Sequence, residues 1–397
     1  MLRFGLVCRQ VRLRGTYSNV IMFFQGALKK KLRSALLILS AFIGFRSKKI
    51  YITNRCLSND TGPTRFLYNI TRYLVKNGIS IEYTFLGRAS TALIIICPPF
   101  RFFYDLCKAR NIKTVLRIDG IYLPSYFDGI EYENRKKRDF DFVKIETNQD
   151  IQYGLYKADW IVYQSNFSKE MADKYLFKRI SKFSVIYNGV DIDHFKPFPQ
   201  NKSNRIVVML LGSWRDIDIL LCSLEAFRFF NETNKNTELK ILGEMTRDIN
   251  SILAKRIKSY SLQNYVTLTG KISYADLPSE INKCDVSLHL KSGDWCPNAV
   301  LETMSCGVPV ICHGHGGTRE LVRDRRLIID HYQFSYDLSL SKKASDKLCL
   351  VVESLSYYKL NARKTVETKF TLEKSGHEYA KILSTGSVLS PHDSNVA

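Results

Sequence analysis

Short β-rich runs alternate with helical segments along most of the chain, and the alternation ends once and begins again. Residues 49–56 read as a buried strand and 57–63 as a polar loop. Phe66, Leu67, Ile70 and Leu74 then recur at helical spacing over 64–76, and Asn77-Gly78 ends that helix. Further β-rich runs lie at 79–85, 92–97, 114–118, 159–164 and 183–187. Residues 196–204 carry two prolines among polar residues and read as an interdomain linker. The series restarts with strands at 205–211, 238–242, 266–269, 286–290 and 308–312, separated by helices at 220–231, 249–260, 274–283 and 299–306. Strands separated by helices imply parallel sheets with crossovers. At 397 residues the chain is too long for one core and suits two domains. The expected division is an N-terminal extension 1–48, a first Rossmann-like domain 49–196, a second 205–361, a final helix 362–384 and a polar, disordered tail 385–397.

Charge is the unusual part of the composition. The chain carries a net +21, a field that attracts nucleic acid, anionic lipid or phosphorylated substrates. Residues 1–48 hold ten Lys and Arg and no acid, so almost half of the excess lies in the extension. Within it an apolar run, 35–45 (ALLILSAFIGF), is flanked by KKKLR and RSKK. A bilayer core needs roughly 20 helical residues, so this run does not cross one unaided. Its length and basic flanks suit a helix lying at a membrane surface. A signal peptide, an organelle presequence and a helix packed on the body compete with that reading, and Met22 is an alternative start. No C-x-x-C pair occurs among the ten cysteines, which read as buried free thiols of a reducing cytosol. No basic helix with base-reading side chains and no interleaved aromatic platform is apparent, which speaks against nucleic acid.

The segment 285–321, DVSLHLKSGDWCPNAVLETMSCGVPVICHGHGGTREL, carries the most chemistry. A strand ends in a polar loop with Lys291, Ser292 and Asp294, and Pro297-Asn298 opens a helix whose unpaired N–H groups favour an anion. Glu302 follows one turn in, so two acids eight residues apart face one ligand from loop and helix. Gly316-Gly317 marks a tight turn where backbone approaches closely. Ligands of doubly wound sheets bind at such strand ends. Taken alone, Glu302 also reads as a solvated helix residue and Asp294 as a turn former.

This segment resembles the donor-binding region of the retaining nucleotide-sugar glycosyltransferases of family 4, also called group 1. The shared pieces are the spacing of Asp294 and Glu302, CPNAVLE, MSCGVPV and GGTREL; YNGVDIDHFKP at 187–197 resembles the family's interdomain motif, and 158–168 and 266–285 fall in the expected order. The resemblance spans roughly 49–385 and is stronger in the second half. It implies a GT-B fold: two Rossmann-like α/β domains facing across a cleft, with a C-terminal helix crossing back to the first. It implies that Glu302 holds the nucleotide's ribose and that Asp294, normally Glu, contacts the donor sugar. It places Gly62 near the diphosphate and acceptor, Gly316 and Gly317 at the turn after the donor loop, and Lys271 and Ile272 against the base.

Two departures stand out. Where the family usually carries Arg and Lys on the diphosphate, an ungapped alignment puts Ser213 and Asp218, leaving Arg215 and Lys291 as substitutes; Arg215 reads equally as a surface side chain. Where many members carry His, this chain has Arg117-Ile-Asp119-Gly120, so Asp119 is either an acceptor-side or catalytic group or an Asp-Gly turn. The D-x-D strings at 191–193 and 216–218 and the pair His313 and His315 do not form a metal set, and no cofactor is expected beyond the nucleotide-sugar. The expected activity is retaining transfer of a sugar to a glycan or lipid-linked acceptor, as in cell-surface polysaccharide or lipopolysaccharide assembly. The expected location is the cytoplasmic face of the cell membrane, held through residues 1–48. The competing readings are a catalytically silent nucleotide-binding relative and, from the charge, a nucleic-acid-binding or -modifying protein.

Overall fold

The doubled alternation builds two parallel sheets, each of six strands among the described residues. The computed structural model describes residues 32, 34–43, 47–53, 62–96, 98–122, 142–199 (the backbone alone over 142–145), 204–215, 217–331 and 337–384. Most of the basic extension, Asp60 and Thr61 of the first loop, Asp216 and the tail 385–397 lie outside them.

The first domain contains a short helix α1 (34–40), β1 (Lys49–Ile52), α2 (Gly62–Lys76), β2 (Ile81–Glu82), β3 (Ala89–Ile95), α3 (Phe103–Ala109), β4 (Lys113–Ile118), α4 (Phe142–Lys157), β5 (Trp160–Tyr163), α5 (Asn166–Tyr175) and β6 (Phe183–Val185). The second contains β7 (Ile206–Leu211), α6 (Ile217–Thr233), β8 (Thr237–Leu242), α7 (Arg247–Ser259), β9 (Val266–Gly270), α8 (Leu277–Asn282), β10 (Val286–His289), α9 (Asn298–Ser305), β11 (Val310–His313), α10 (Thr318–Val322), β12 (Ile328–Ile329), α11 (Leu338–Glu353) and α12 (Leu355–Lys369). A last helix, α13 (Leu372–Leu383), returns to the first domain. The sheets run β2-β1-β3-β4-β5-β6 and β12-β11-β10-β7-β8-β9, every pair parallel. The inner strands are largely buried because helices cover both faces; all seven residues of β3 are buried, Ser90 and Thr91 among them, whereas the edge strand β9 stays partly exposed.

The expected final helix 362–384 is two helices, a correction with a local cause. Thr371 leaves helical geometry and its hydroxyl accepts from Lys374 N–H at 3.2 Å, starting a new helix. At the break, Val190 pairs with the chain: its N–H donates to Phe370 at 2.9 Å and its carbonyl accepts from Leu372 at 2.9 Å. From there α13 packs on α2 through Tyr379 and Phe66, and Lys113 holds the Ile382 carbonyl at 2.6 Å. The helix expected over 274–283 begins only at Leu277, because Ser273 and Asp276 form a hydrogen-bonded turn and Pro278 opens the helix.

Residues 35–43 of the extension's apolar run lie on the first domain. Ser40 and Ala41 are buried beside Leu86 and Gly87, and Ser40 Oγ accepts from Leu86 N–H at 3.3 Å. A Cβ on Gly87 would stand 2.4 Å from the Ala41 carbonyl oxygen, so this glycine admits the segment. The opposite face leaves Leu36, Leu39, Phe42 and Ile43 exposed. Among the described residues no helix is long and apolar enough to cross a membrane.

Candidate functional site

The second sheet reverses its winding between β7 and β10, which opens a crevice at the carboxyl ends of those strands. Gly212 follows β7 there. Gly243, after β8, has φ +112°, and a Cβ on it would lie 1.8 Å from the Gly212 carbonyl oxygen, so the two loops touch through backbone. Trp214 lies over this edge with its indole N–H on the Leu242 carbonyl at 3.0 Å.

Asp294 sits in the loop after β10. Lys291 Nζ stands 3.0 Å and His289 Nε2 3.3 Å from one of its carboxylate oxygens, while the other accepts from Trp295 N–H at 3.0 Å. Burial alone would raise this carboxyl, but Lys291 and His289 outweigh it and hold it far below the usual carboxylate range. The Gly316-Gly317 turn cradles the loop. Gly317 N–H donates to the Asp294 carbonyl at 2.7 Å, and a Cβ on Gly317 would meet the Trp295 carbonyl oxygen at 1.9 Å. Gly316 has φ +132°. Asp294 is therefore a fixed, ionised acceptor rather than a simple turn former.

Glu302 is buried on α9. Its carboxylate is met from the other domain: Arg65 Nη1 on α2 lies 3.0 Å from Glu302 Oε1. The Arg65 guanidinium also stacks on Tyr274, 3.9 Å from the ring centre. Burial raises the Glu302 carboxyl and Arg65 opposes that rise. Beside this pair the two helix starts meet, with Asn298 Nδ2 3.4 Å from the Gly62 carbonyl oxygen. Gly62, Asn298 and Glu302 thus come together across the domain gap, and Arg65 joins them. Of the first three, Gly62 comes from the resemblance, Asn298 from its place at a helix start and Glu302 from its charge; Arg65 gave no signal beyond standing one turn into a helix that opens at the glycine.

Asp119 ends β4 in an ion pair with Arg117, whose side chain is fully buried. Arg117 also stacks on Phe66 and donates to Asn188 Oδ1 at 2.9 Å, and Asn188 Nδ2 donates to the Cys296 carbonyl at 2.8 Å. A chain of polar contacts thus links β4, the segment between the domains and the Asp294 loop. Gly120, at φ +143°, lies where a Cβ would meet the Trp295 indole at 2.3 Å, which puts Asp119 beside that loop.

Glu320, within GGTREL, has no role assigned by the sequence. From α10 its carboxylate accepts from Asn166 N–H at 2.9 Å, Asn166 Nδ2 at 3.0 Å, Phe167 N–H at 2.7 Å and Tyr187 Oη at 2.6 Å. An acid of the second domain thereby caps the first turn of α5 in the first. Its partners lie more than a hundred residues upstream, which no local pattern could reveal.

The remaining expected residues lie around the same edge. Ile272 is half-buried and Lys271 exposed just after Gly270, whose φ is +68°. Ser213 and Arg215 are exposed and Asp218 is in the first turn of α6. Lys291 is bound to Asp294. Asp191, of the first D-x-D string, accepts from Asp193 N–H and His194 N–H at 3.2 Å each and pairs with Arg72.

Residues 193–347 match the model of the family described as glycosyl transferases group 1. That match holds the whole edge from Gly212 to Glu320. The two-domain arrangement is the GT-B fold, shared with solved structures of low sequence identity. An Anabaena protein, Alr3699/HepE, solved with UDP and glucose, aligns at a TM-score of 0.65 and 16% identity over 86% of this chain and 100% of its own. Sucrose-phosphate synthase from Thermosynechococcus elongatus aligns at 0.65 and 12% over 85% and 98%. A glycosyltransferase from Rickettsia africae aligns at 0.64 and 15% over 86% and 100%. No curated protein sequence matches the chain.

Proposed function

We propose that this chain moves a sugar from a nucleotide-sugar to an acceptor with retention at the anomeric carbon. The observation that carries the reading is the pair Asp294 and Glu302 on the carboxyl edge of the second sheet, inside the stretch that matches the family. Glu302 takes the ribose hydroxyls, and Asp294, held ionised, takes hydroxyls of the donor sugar. The start of α9 at Asn298 faces the diphosphate, Gly316 and Gly317 hold the loop, and backbone near Lys271 and Ile272 meets the base. The acceptor enters from the first domain beside Gly62 and Asp119. Closure of the domains about Asn188-Gly189 excludes water and suppresses donor hydrolysis. No metal is assigned a role. The acceptor is a lipid-linked or cell-surface glycan, and the exposed face of α1 with its basic surroundings holds the enzyme at the inner face of the cell membrane.

A thermal-shift screen of nucleotide-sugars tests this, run on the native chain and on Glu302→Ala. A donor at a hundred times its dissociation constant adds about 2.7 kcal/mol of stability. A shift in the native chain that shrinks in the variant supports the site, and absence of any shift with every nucleotide-sugar refutes it. Release of nucleotide on adding acceptor distinguishes an enzyme from a silent binder, and the anomeric configuration of the product tests retention.

A further inference from the structure

The leaving group of the proposed reaction is a nucleoside diphosphate, whose growing negative charge must be met by fixed positive groups. The second domain is poorly supplied with them at this edge. Ser213 is neutral, Asp218 is acidic, and Lys291 is already bound to Asp294. Arg215 is exposed. The first domain supplies a cation in the right place. Arg65 reaches across the domain gap from the first turns of α2 and is mostly shielded from solvent, with 14% of its side chain exposed. It lies where the starts of α2 and α9 converge, and neither helix has an acid in its first turn to offset the positive end of its dipole. Its partner Glu302 is the carboxylate that the proposed function gives to the ribose.

We propose that Arg65 is the diphosphate-binding cation of this chain and that a bound donor displaces it from Glu302. The proposal rests on the assignment of Glu302 to the donor's ribose. Ribose hydroxyls replace the guanidinium on Glu302, and the released guanidinium turns to the adjoining phosphates, which it matches with two parallel N–H donors. Two facts favour this exchange over a permanent clamp. Glu302 is a buried acid that its surroundings push toward the neutral form, so a hydroxyl partner serves it as well as an ion does. Arg65 keeps the Tyr274 ring beneath it, a face on which the guanidinium plane is able to pivot. The cation that other chains of the resemblance carry on the second domain is thus supplied here by the first, and the contact that Arg65 makes between the domains passes from Glu302 to the diphosphate.

Calorimetric titration separates the contributions. The native chain is titrated with UDP, ADP, GDP, CDP and dTDP, and for the best binder the matching nucleoside and monophosphate are titrated as well. Arg65→Ala and Arg65→Lys are then compared, with thermal unfolding confirming that each is folded. Arg65→Ala is expected to weaken the diphosphate by about tenfold or more, the scale of a lost charge-assisted hydrogen bond, with the nucleoside unchanged or tighter because Glu302 is released. Arg65→Lys restores part of the loss, since charge remains without the planar fork. Equal weakening of nucleoside and diphosphate, or tightening of both, overturns the proposal and makes Arg65 a clamp or a plug. If no diphosphate binds the native chain, the donor-site reading itself fails, and this proposal with it. That outcome appears before any variant is made.

Discussion

Replacing Glu320 with Ala should loosen the contact between the domains without unfolding either one. The native carboxylate takes four hydrogen bonds from the first domain. Asn166 is exposed, so water replaces the carboxylate on its two groups at little cost. Phe167 N–H and Tyr187 Oη are partly buried and are left without their acceptor. A stranded buried donor costs about 1–3 kcal/mol, and partial access of water puts these two near the lower half of that range. The sum is about 2–4 kcal/mol, or about 30- to 700-fold in the opening equilibrium of this contact. Hydrogen exchange read residue by residue is the direct assay. The Phe167 amide should exchange faster by that factor, while amides of β8, at the centre of the second domain, keep their native protection. Glu320→Gln keeps one carbonyl acceptor and should fall between. Unchanged exchange at Phe167 in Glu320→Ala would refute the capping role. Equal acceleration in β8 would show that Glu320 supports the fold of the second domain instead of its contact with the first.

Three further outcomes are expected. Asp294 has a depressed carboxyl, so its contribution is present above the unfolded value of about 3.9 and is lost as pH falls from there. Lys291→Ala should therefore shrink the loss of thermal stability between neutral pH and pH 3, and superimposable acid limbs would deny Lys291 that role. Aspartate at Leu36, Leu39 and Phe42 together should cut co-sedimentation with vesicles rich in anionic lipid by more than about tenfold, because each apolar side chain gives up its place in the interface; unchanged binding would remove α1 from any membrane contact. Gly317→Ala forces a Cβ against the Trp295 carbonyl and should cost about 1–3 kcal/mol in denaturant unfolding, whereas Gly62→Ala, with nothing within 4 Å, should stay within about 0.5 kcal/mol. Similar values for the two would mean that the Asp294 loop yields freely.

Much of the secondary structure was legible because helix-covered parallel strands are apolar on both faces and their helices carry a 3.6-residue stripe. The misreadings fall where a side chain, not a periodicity, sets a boundary. Thr371 splits the last helix by capping its second half, and Ser273 with Asp276 delays α8. The short α1 was visible as an apolar run, yet the sequence left its partner open among membrane, targeting machinery and the body. One face meets Leu86 and Gly87 while the other remains exposed, a division that only three-dimensional packing defines.

The candidate site divides in the same way. Asp294, Glu302, Asn298 and the two glycines lie within one stretch, and it is the resemblance of that stretch to the family that singles them out. Arg65, Asn188 and Glu320 act on residues between about a hundred and more than two hundred positions away, in the other domain. Each is an ordinary charged or polar residue in the sequence, and its meaning arises only when two separately folded sheets face each other. By itself the sequence determined two parallel α/β domains, because those follow from hydrophobic period, and its resemblance to the family marked the acidic edge of the second. The tertiary structure decided which groups of the first domain reach that edge. Packing across a gap between domains depends on relative orientation, which no local pattern encodes.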